Sequence, residues 1–144
     1  MTRPIDSGVD RSGDLGVSPV LDGTHLRVDG PTGGAGAVRP AIVLVHGVGL
    51  DLNMWDLVVN GLAEDRVVVR YDLLGHGRSV DPPGPRSVDD FVVQCLGVLA
   101  LAAAEDPTGR TPNLVGLSLG GMIAMGLGAR HPDAVGRLVA MNAV

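Results

Sequence analysis

The residue with the clearest capacity for chemistry is Ser118, set in Gly116-Leu117-Ser118-Leu119-Gly120-Gly121. An apolar run with strand character precedes it and a helical pattern follows, so the serine stands on a strand-to-helix turn. Such a turn strains the backbone at the serine and leaves no room for side chains two residues to either side, a condition that Gly116 and Gly120 meet. The hydroxyl then projects outward as a nucleophile. The helix behind it directs unsatisfied N–H groups, that of Leu119 nearest, towards an oxyanion developing on a bound carbonyl. The competing reading of the hexapeptide is a glycine-rich helix start that the serine merely caps.

A serine is a weak nucleophile until a histidine takes its proton and an acid orients that histidine. The polar candidates after Ser118 are His131 and Asp133, with the histidine ahead of the acid. The helix between them and the serine starts at the serine, so its far end faces the opposite edge of the sheet. Neither is expected to complete a triad. Asp72 and His76 read as braces of a tight turn through side-chain to backbone hydrogen bonds. Met122 and Met125 read as packing residues and Cys95 as a small buried apolar one. Trp55 suits a pocket edge or the packing of a helix equally.

The elements that must position these residues follow from the hydrophobic pattern. Runs at 24–28, 42–45, 67–71, 113–117 and 138–143 read as strands, several of them continuously apolar and β-branched as in a buried parallel sheet. Between them, Trp55, Val58, Val59 and Leu62 recur at helical spacing, as do Val88, Val92, Cys95, Leu99 and Ala102. Ser87 and Asp90 form a carboxylate version of a capping box, and a third helix is expected over 119–130, stopping before Pro132. Alternating strands and helices give the fold class α/β, a mostly parallel sheet flanked by helices. The strand at 138–143 is left as an unprotected apolar edge, through which the chain is expected to self-associate. Residues 1–18 show no periodicity and read as a disordered lead, and 30–36 as a flexible loop.

Composition narrows the function. The 144 residues are 45% hydrophobic, 19% charged and 2% aromatic, enough apolar material for one globular core built mainly from Val, Leu, Ala and Gly. All 11 basic residues are arginine. Without lysine there is neither a Gly-Lys-Ser/Thr phosphate loop nor Schiff-base chemistry. A net charge of -5 argues against nucleic-acid binding. The single cysteine, Cys95, allows no internal disulfide and no cysteine metal cluster. The longest apolar run, 95–104, is half a membrane span, and no signal core opens the chain. A soluble, cytoplasmic protein with no membrane partner is expected.

Three motifs in order carry a family resemblance. They are His46-Gly47-Val48-Gly49 after one strand, Asp72-Leu73-Leu74-Gly75-His76-Gly77-Arg78-Ser79 after the next, and the turn at Ser118. Over residues 22–144 the chain resembles the N-terminal part of a serine hydrolase of the α/β-hydrolase fold. The resemblance implies Ser118 as nucleophile, with the N–H groups of Val48 and Leu119 as oxyanion hole. It implies that Gly116 and Gly120 shape the elbow and that His46 and Gly47 support the oxyanion loop, His46 not being the base. In this family the acid and the catalytic histidine follow the serine, beyond anything this chain offers. Residues 19–144 are therefore read as the N-terminal portion of one such domain, a truncated α/β-hydrolase fold lacking the C-terminal strands, lid, acid and histidine, and expected to be inactive by itself. The implied reaction is hydrolysis of a small-molecule carboxylic ester or lactone through an acyl-enzyme, with no metal and no cofactor expected. Met54-Trp55, Arg70-Tyr71-Asp72 and Pro82-Pro83-Gly84-Pro85 look most like 3-oxoadipate enol-lactonases. Carboxylesterases, C–C bond hydrolases and cofactor-free haloperoxidases share most of these residues. The alternative of another class is a non-catalytic binding or interaction protein that kept the fold.

Overall fold

The computed structural model describes residues 2–5, 21–31 and 36–143. Six strands form one sheet: β1 (Thr2–Ile5), β2 (Leu26–Asp29), β3 (Ile42–Val45), β4 (Val68–Tyr71), β5 (Asn113–Leu117) and β6 (Leu138–Met141). Their order across the sheet is β1-β2-β4-β3-β5-β6. The pairs β4/β3, β3/β5 and β5/β6 are parallel, and β2 runs antiparallel to both of its neighbours. The mostly parallel α/β architecture is as the alternating pattern implies.

The strands β3 and β4 sit together at the centre because both of their faces are apolar except at Arg70, whose charge is paired with Asp29 and Asp56. Every residue of β3 and β4 is buried, and burying each Val or Leu side chain contributes roughly 1.5–3 kcal/mol. Val43, Val45, Val69 and Tyr71 face the long helices α2 (Val88–Glu105) and α3 (Leu119–Arg130), meeting Cys95, Leu99, Ile123 and Leu127. Ile42, Leu44 and Val68 face the other way and pack on Trp55 and Val59. Those two come from a 3-10 turn (Leu52–Trp55) that runs into the short helix α1 (Asp56–Leu62). Trp55 is thus a packing residue. Val58, read from its spacing as part of the same inward face, is turned outward. Seven residues offer only a narrow stripe, which Trp55 and Val59 fill.

The helix limits follow their local signals. The Asp90 carboxylate accepts the Ser87 N–H at 2.7 Å, closing the start of α2. The strand read at 24–28 instead begins at Leu26, because the Thr24 N–H donates to the Leu21 carbonyl and the His25 N–H to the Ser79 hydroxyl. The last strand ends at Met141 rather than 143, since Asn142 turns to a φ of 48°. Composition reads 1–18 as a disordered lead, yet Thr2–Ile5 pair antiparallel with β2, whose outer backbone groups would otherwise lack partners. The rest of that lead, and residues 32–35 of the loop read as flexible, lie outside the described residues. Among those described, no helix is long and apolar enough to cross a membrane.

Candidate active site

The parallel strands β3, β4 and β5 bring their C-terminal ends to one edge of the sheet, where the three motifs meet. Ser118 follows β5 directly and takes φ 54° and ψ -116°. A side-chain-bearing residue in that region carries about 1–3 kcal/mol of strain and persists only where its surroundings hold it. Two hydrogen bonds do so: the Ser118 N–H donates to the Met141 carbonyl at 2.8 Å, and the Met122 N–H donates to the Ser118 carbonyl at 3.0 Å. The glycines allow the turn to close. A Cβ on Gly116 would lie 2.0 Å from the Gly120 carbonyl oxygen, and one on Gly120 would lie 2.3 Å from that of Val45.

The loop after β3 comes against the serine. A Cβ on Gly47 would lie 3.3 Å from the Ser118 Cβ, so the loop backbone runs close beside the serine. Among the described residues neither the Val48 N–H nor the Leu119 N–H donates to an acceptor of the chain. Both are available to a ligand oxygen. His46 is fully buried. Its Nε2 accepts the Leu73 N–H at 3.0 Å, which places the proton on Nδ1, and Nδ1–H donates to the Gly47 carbonyl at 2.7 Å. Burial holds the His46 pKa below the ordinary histidine value, against the opposing pull of that carbonyl. With both ring nitrogens engaged and the neutral form favoured, His46 has nothing with which to take a proton from Ser118.

His46 instead aims a donor. The Gly47 carbonyl and the Val48 N–H belong to one planar trans peptide and point in opposite directions. Holding the carbonyl from one side, with Nδ1–H of His46 and the Leu50 N–H at 3.2 Å, turns the Val48 N–H to the other.

Asp72 organises the neighbouring loop. Its carboxylate accepts the Leu52 N–H at 2.8 Å, the Arg78 N–H at 2.9 Å and the Nδ1–H of His25 at 2.8 Å. Burial alone would raise its pKa, but these donors outweigh burial and hold it below the usual carboxylate value. His76 donates Nδ1–H to the Leu74 carbonyl at 3.0 Å. Both residues thus act as turn braces. Sequence reasoning missed their supports, His25 and Gln94. The Gln94 amide is buried and joins the Leu74 N–H, the Thr24 hydroxyl and the Asp72 carbonyl. A glutamine inside the apolar stripe of α2 was the available signal for it. For His25 there was none.

His131 and Asp133 are exposed at the far end of α3. Twelve helical residues separate that end from the serine, about 18 Å along the axis, so neither reaches Ser118. Among the described residues no side chain is hydrogen-bonded to the Ser118 hydroxyl, and no group of three His, Cys, Asp or Glu is placed to hold a metal ion.

Comparison with known proteins agrees with this fold. The sequence profile of the alpha/beta hydrolase fold matches residues 40–144. The chain is similar to the crystal structure of the enol-lactonase from Burkholderia xenovorans LB400, at 36% identity and a TM-score of 0.70, covering 81% of this chain and 42% of that one. It is 37% identical over 105 residues to a 2-hydroxymuconate semialdehyde hydrolase of Pseudomonas sp. strain CF600, covering 70% of this chain and 35% of the relative. An esterase of Mycobacterium tuberculosis H37Rv is 34% identical over 111 residues, 74% of this chain and 34% of its own length. The chain therefore spans well under half the length of these relatives.

Proposed function

Because the chain belongs to the α/β-hydrolase fold family, we propose that Ser118 is the nucleophile of a hydrolase acting on a carboxylic ester or lactone through an acyl-enzyme. The observation that carries this reading is the strained Ser118 turn with Gly47 packed against it and two unengaged N–H groups beside it. The Ser118 oxygen attacks the carbonyl carbon as its proton passes to a general base, and the resulting oxyanion lies between the N–H groups of Val48 and Leu119. Collapse of this intermediate breaks the bond to the alkoxide, which leaves as the alcohol, or stays tethered when the substrate is a ring. Water then attacks the acyl-serine and frees the acid. Gly116 and Gly120 keep the elbow closed, while His46 and Gly47 orient the Val48 donor.

No base stands at Ser118 among the described residues, so the hydrogen-bond donors and the turn are what this chain contributes. At alkaline pH hydroxide takes over the base's task. Under those conditions a fluorophosphonate probe should phosphonylate Ser118 ahead of the surface serines, as mapped by peptide mass spectrometry, and Ser118→Ala should lose that adduct. Labelling spread evenly over the serines would overturn the reading and favour a fold kept for binding alone.

A further inference from the structure

The loop that presents Val48 is held at both ends by two consecutive residues of the neighbouring loop. Strands β3 and β4 run parallel and end level, with Val45 and Tyr71 as register partners, so His46 and Asp72 leave the sheet side by side. The Leu73 N–H donates to Nε2 of His46 at 3.0 Å and grips the start of the Val48 loop. The Asp72 carboxylate accepts the Leu52 N–H at 2.8 Å and grips its end. His46, Leu52 and Asp72 are buried, whereas Val48, Gly49 and Leu50 are exposed. Among the described residues, side-chain packing therefore does little to place Val48, and the two grips set the path of the backbone between them.

The carboxylate is itself fixed through its other oxygen. Oδ2 accepts the Nδ1–H of His25 at 2.8 Å and the Arg78 N–H at 2.9 Å, which leaves Oδ1 for Leu52. Gly77 closes the loop over it, since a Cβ there would lie 2.2 Å from Oδ2. The Asp72 N–H also donates to the His25 carbonyl at 2.9 Å, so His25 holds this residue by backbone and ring together. The bond to Arg78 suffices to brace the turn that Asp72 begins. The bond to Leu52, 20 residues back, serves the Val48 loop instead.

We infer that Asp72 is a positioning residue of the oxyanion hole: with Leu73 it fixes both ends of the loop 46–52 and so sets the direction of the Val48 N–H, while His25 keeps its carboxylate turned to Leu52. Asp72 acts through the loop and touches no substrate. The inference rests on the hydrolase reading for the task it gives to Val48. The hold on the loop belongs to the chain itself and is measured apart from that task.

Two measurements on the whole chain test this. The first is the order of the Val48 amide by ¹⁵N relaxation at neutral pH, expected near the rigid-backbone value of about 0.85 in the parent and below about 0.6 in Asp72→Asn and in His25→Leu, with Leu119 and the strands unchanged. His25→Asn, which returns a side-chain N–H to Asp72, should restore the parent value. His25→Leu removes one of the three donors to the carboxylate and should fold even where Asp72→Asn does not, which circular dichroism checks. The second is the rate at which a fluorophosphonate labels Ser118 at alkaline pH. It should fall at least about tenfold in His25→Leu, given that complete loss of one oxyanion donor costs about 10² to 10³, and recover in His25→Asn. A folded His25→Leu or Asp72→Asn that is less stable yet keeps Val48 rigid would overturn the inference and leave Asp72 a brace of its own turn. A loosened Val48 with undiminished labelling of Ser118 would also overturn it, while leaving the serine as nucleophile. Labelling spread evenly over the serines of the parent would overturn the hydrolase reading, with the hold of Asp72 on the loop still decided by the relaxation data.

Discussion

The Ser118 N–H donates to the Met141 carbonyl across 2.8 Å, so the strained turn is tied to the outermost strand of the sheet. Among the described residues nothing pairs with the outer side of that strand. Leu138, Val139 and Ala140 are all exposed, and nothing in Leu138–Met141 is charged. Natural sheets guard such edges with charge, proline or a covering element. Self-association through β6 is therefore expected, and Val139→Lys should suppress it. Sedimentation velocity across a concentration series checks this. Val139 is 50% exposed, so the melting temperature should stay nearly constant. Association unchanged by the lysine would exclude this edge as the contact.

The backbone at Ser118 makes a second expectation. Glycine adopts a φ of 54° without penalty, whereas alanine keeps the Cβ that causes the strain. Ser118→Gly should raise stability by about 1 kcal/mol, after allowing for the greater freedom of glycine in the unfolded chain. Ser118→Ala should leave it nearly unchanged. Urea denaturation of the three proteins decides, and equal stability of the glycine and alanine variants would mean that the turn stores no strain.

The Ser118 turn was legible because most of its requirements are local. Gly116 must clear the backbone of Gly120, four residues on, and the strand before and helix after announce themselves by period; only the approach of Gly120 to the distant Val45 carbonyl lay outside any short window. The capping of α2 by Asp90 was legible for the same reason. What escaped depends on distant partners. Thr2–Ile5 form a strand only because the edge of β2 is open to them. Val58 shares its period with Val59 but lies on a helix too short to bury both. His25 acquires its role from Asp72, 47 residues away. No window of sequence holds both members of such pairs.

His46 gives the fold a pH dependence of known sign. Its pKa is lowered in the folded state, first by burial, while the unfolded chain keeps the ordinary value of about 6.5. The stabilisation linked to the neutral ring is fully present above that value and is lost as pH falls below it towards the folded pKa. The slope can approach about 1.4 kcal/mol per pH unit for one proton. Urea midpoints between about pH 7.5 and 5 should show this decline. His46→Asn should be less stable at neutral pH and show a shallower decline. An equally steep decline in the variant would place the proton uptake elsewhere.

Asp72 acts in a lower window. Its carboxylate is held below the usual range despite burial, by the Arg78 and Leu52 N–H groups and by His25. Its contribution is complete above the unfolded value near 3.9 and is lost as pH falls through the folded one. Asp72→Asn removes the charge and presents an N–H₂ group where acceptors are needed, so it should cost about 3 kcal/mol at neutral pH. A change below about 0.5 kcal/mol, the usual range for surface positions, would show that the Asp72 loop holds together without it.

The final expectation is that this chain by itself does not turn over esters through Ser118. Removal of triad members lowers turnover by about 10⁴ to 10⁶, leaving what the oxyanion donors and binding supply. His46 cannot act as the base, since both of its nitrogens are engaged, and His131 stands at the other end of α3. At neutral pH the serine hydroxyl therefore keeps its proton. The donors alone are also sensitive to position, since their effect depends on alignment to about half an ångström, and the Val48 loop is largely open to solvent. Hydrolysis of p-nitrophenyl acetate at neutral pH by the chain should match that by its Ser118→Ala variant. Turnover of order one per second in the parent, lost in the variant, would mean that a base reaches Ser118 from residues outside those described or from a second chain. Repeating the assay over a concentration series separates these, because a base contributed by another chain makes the specific activity rise with protein concentration.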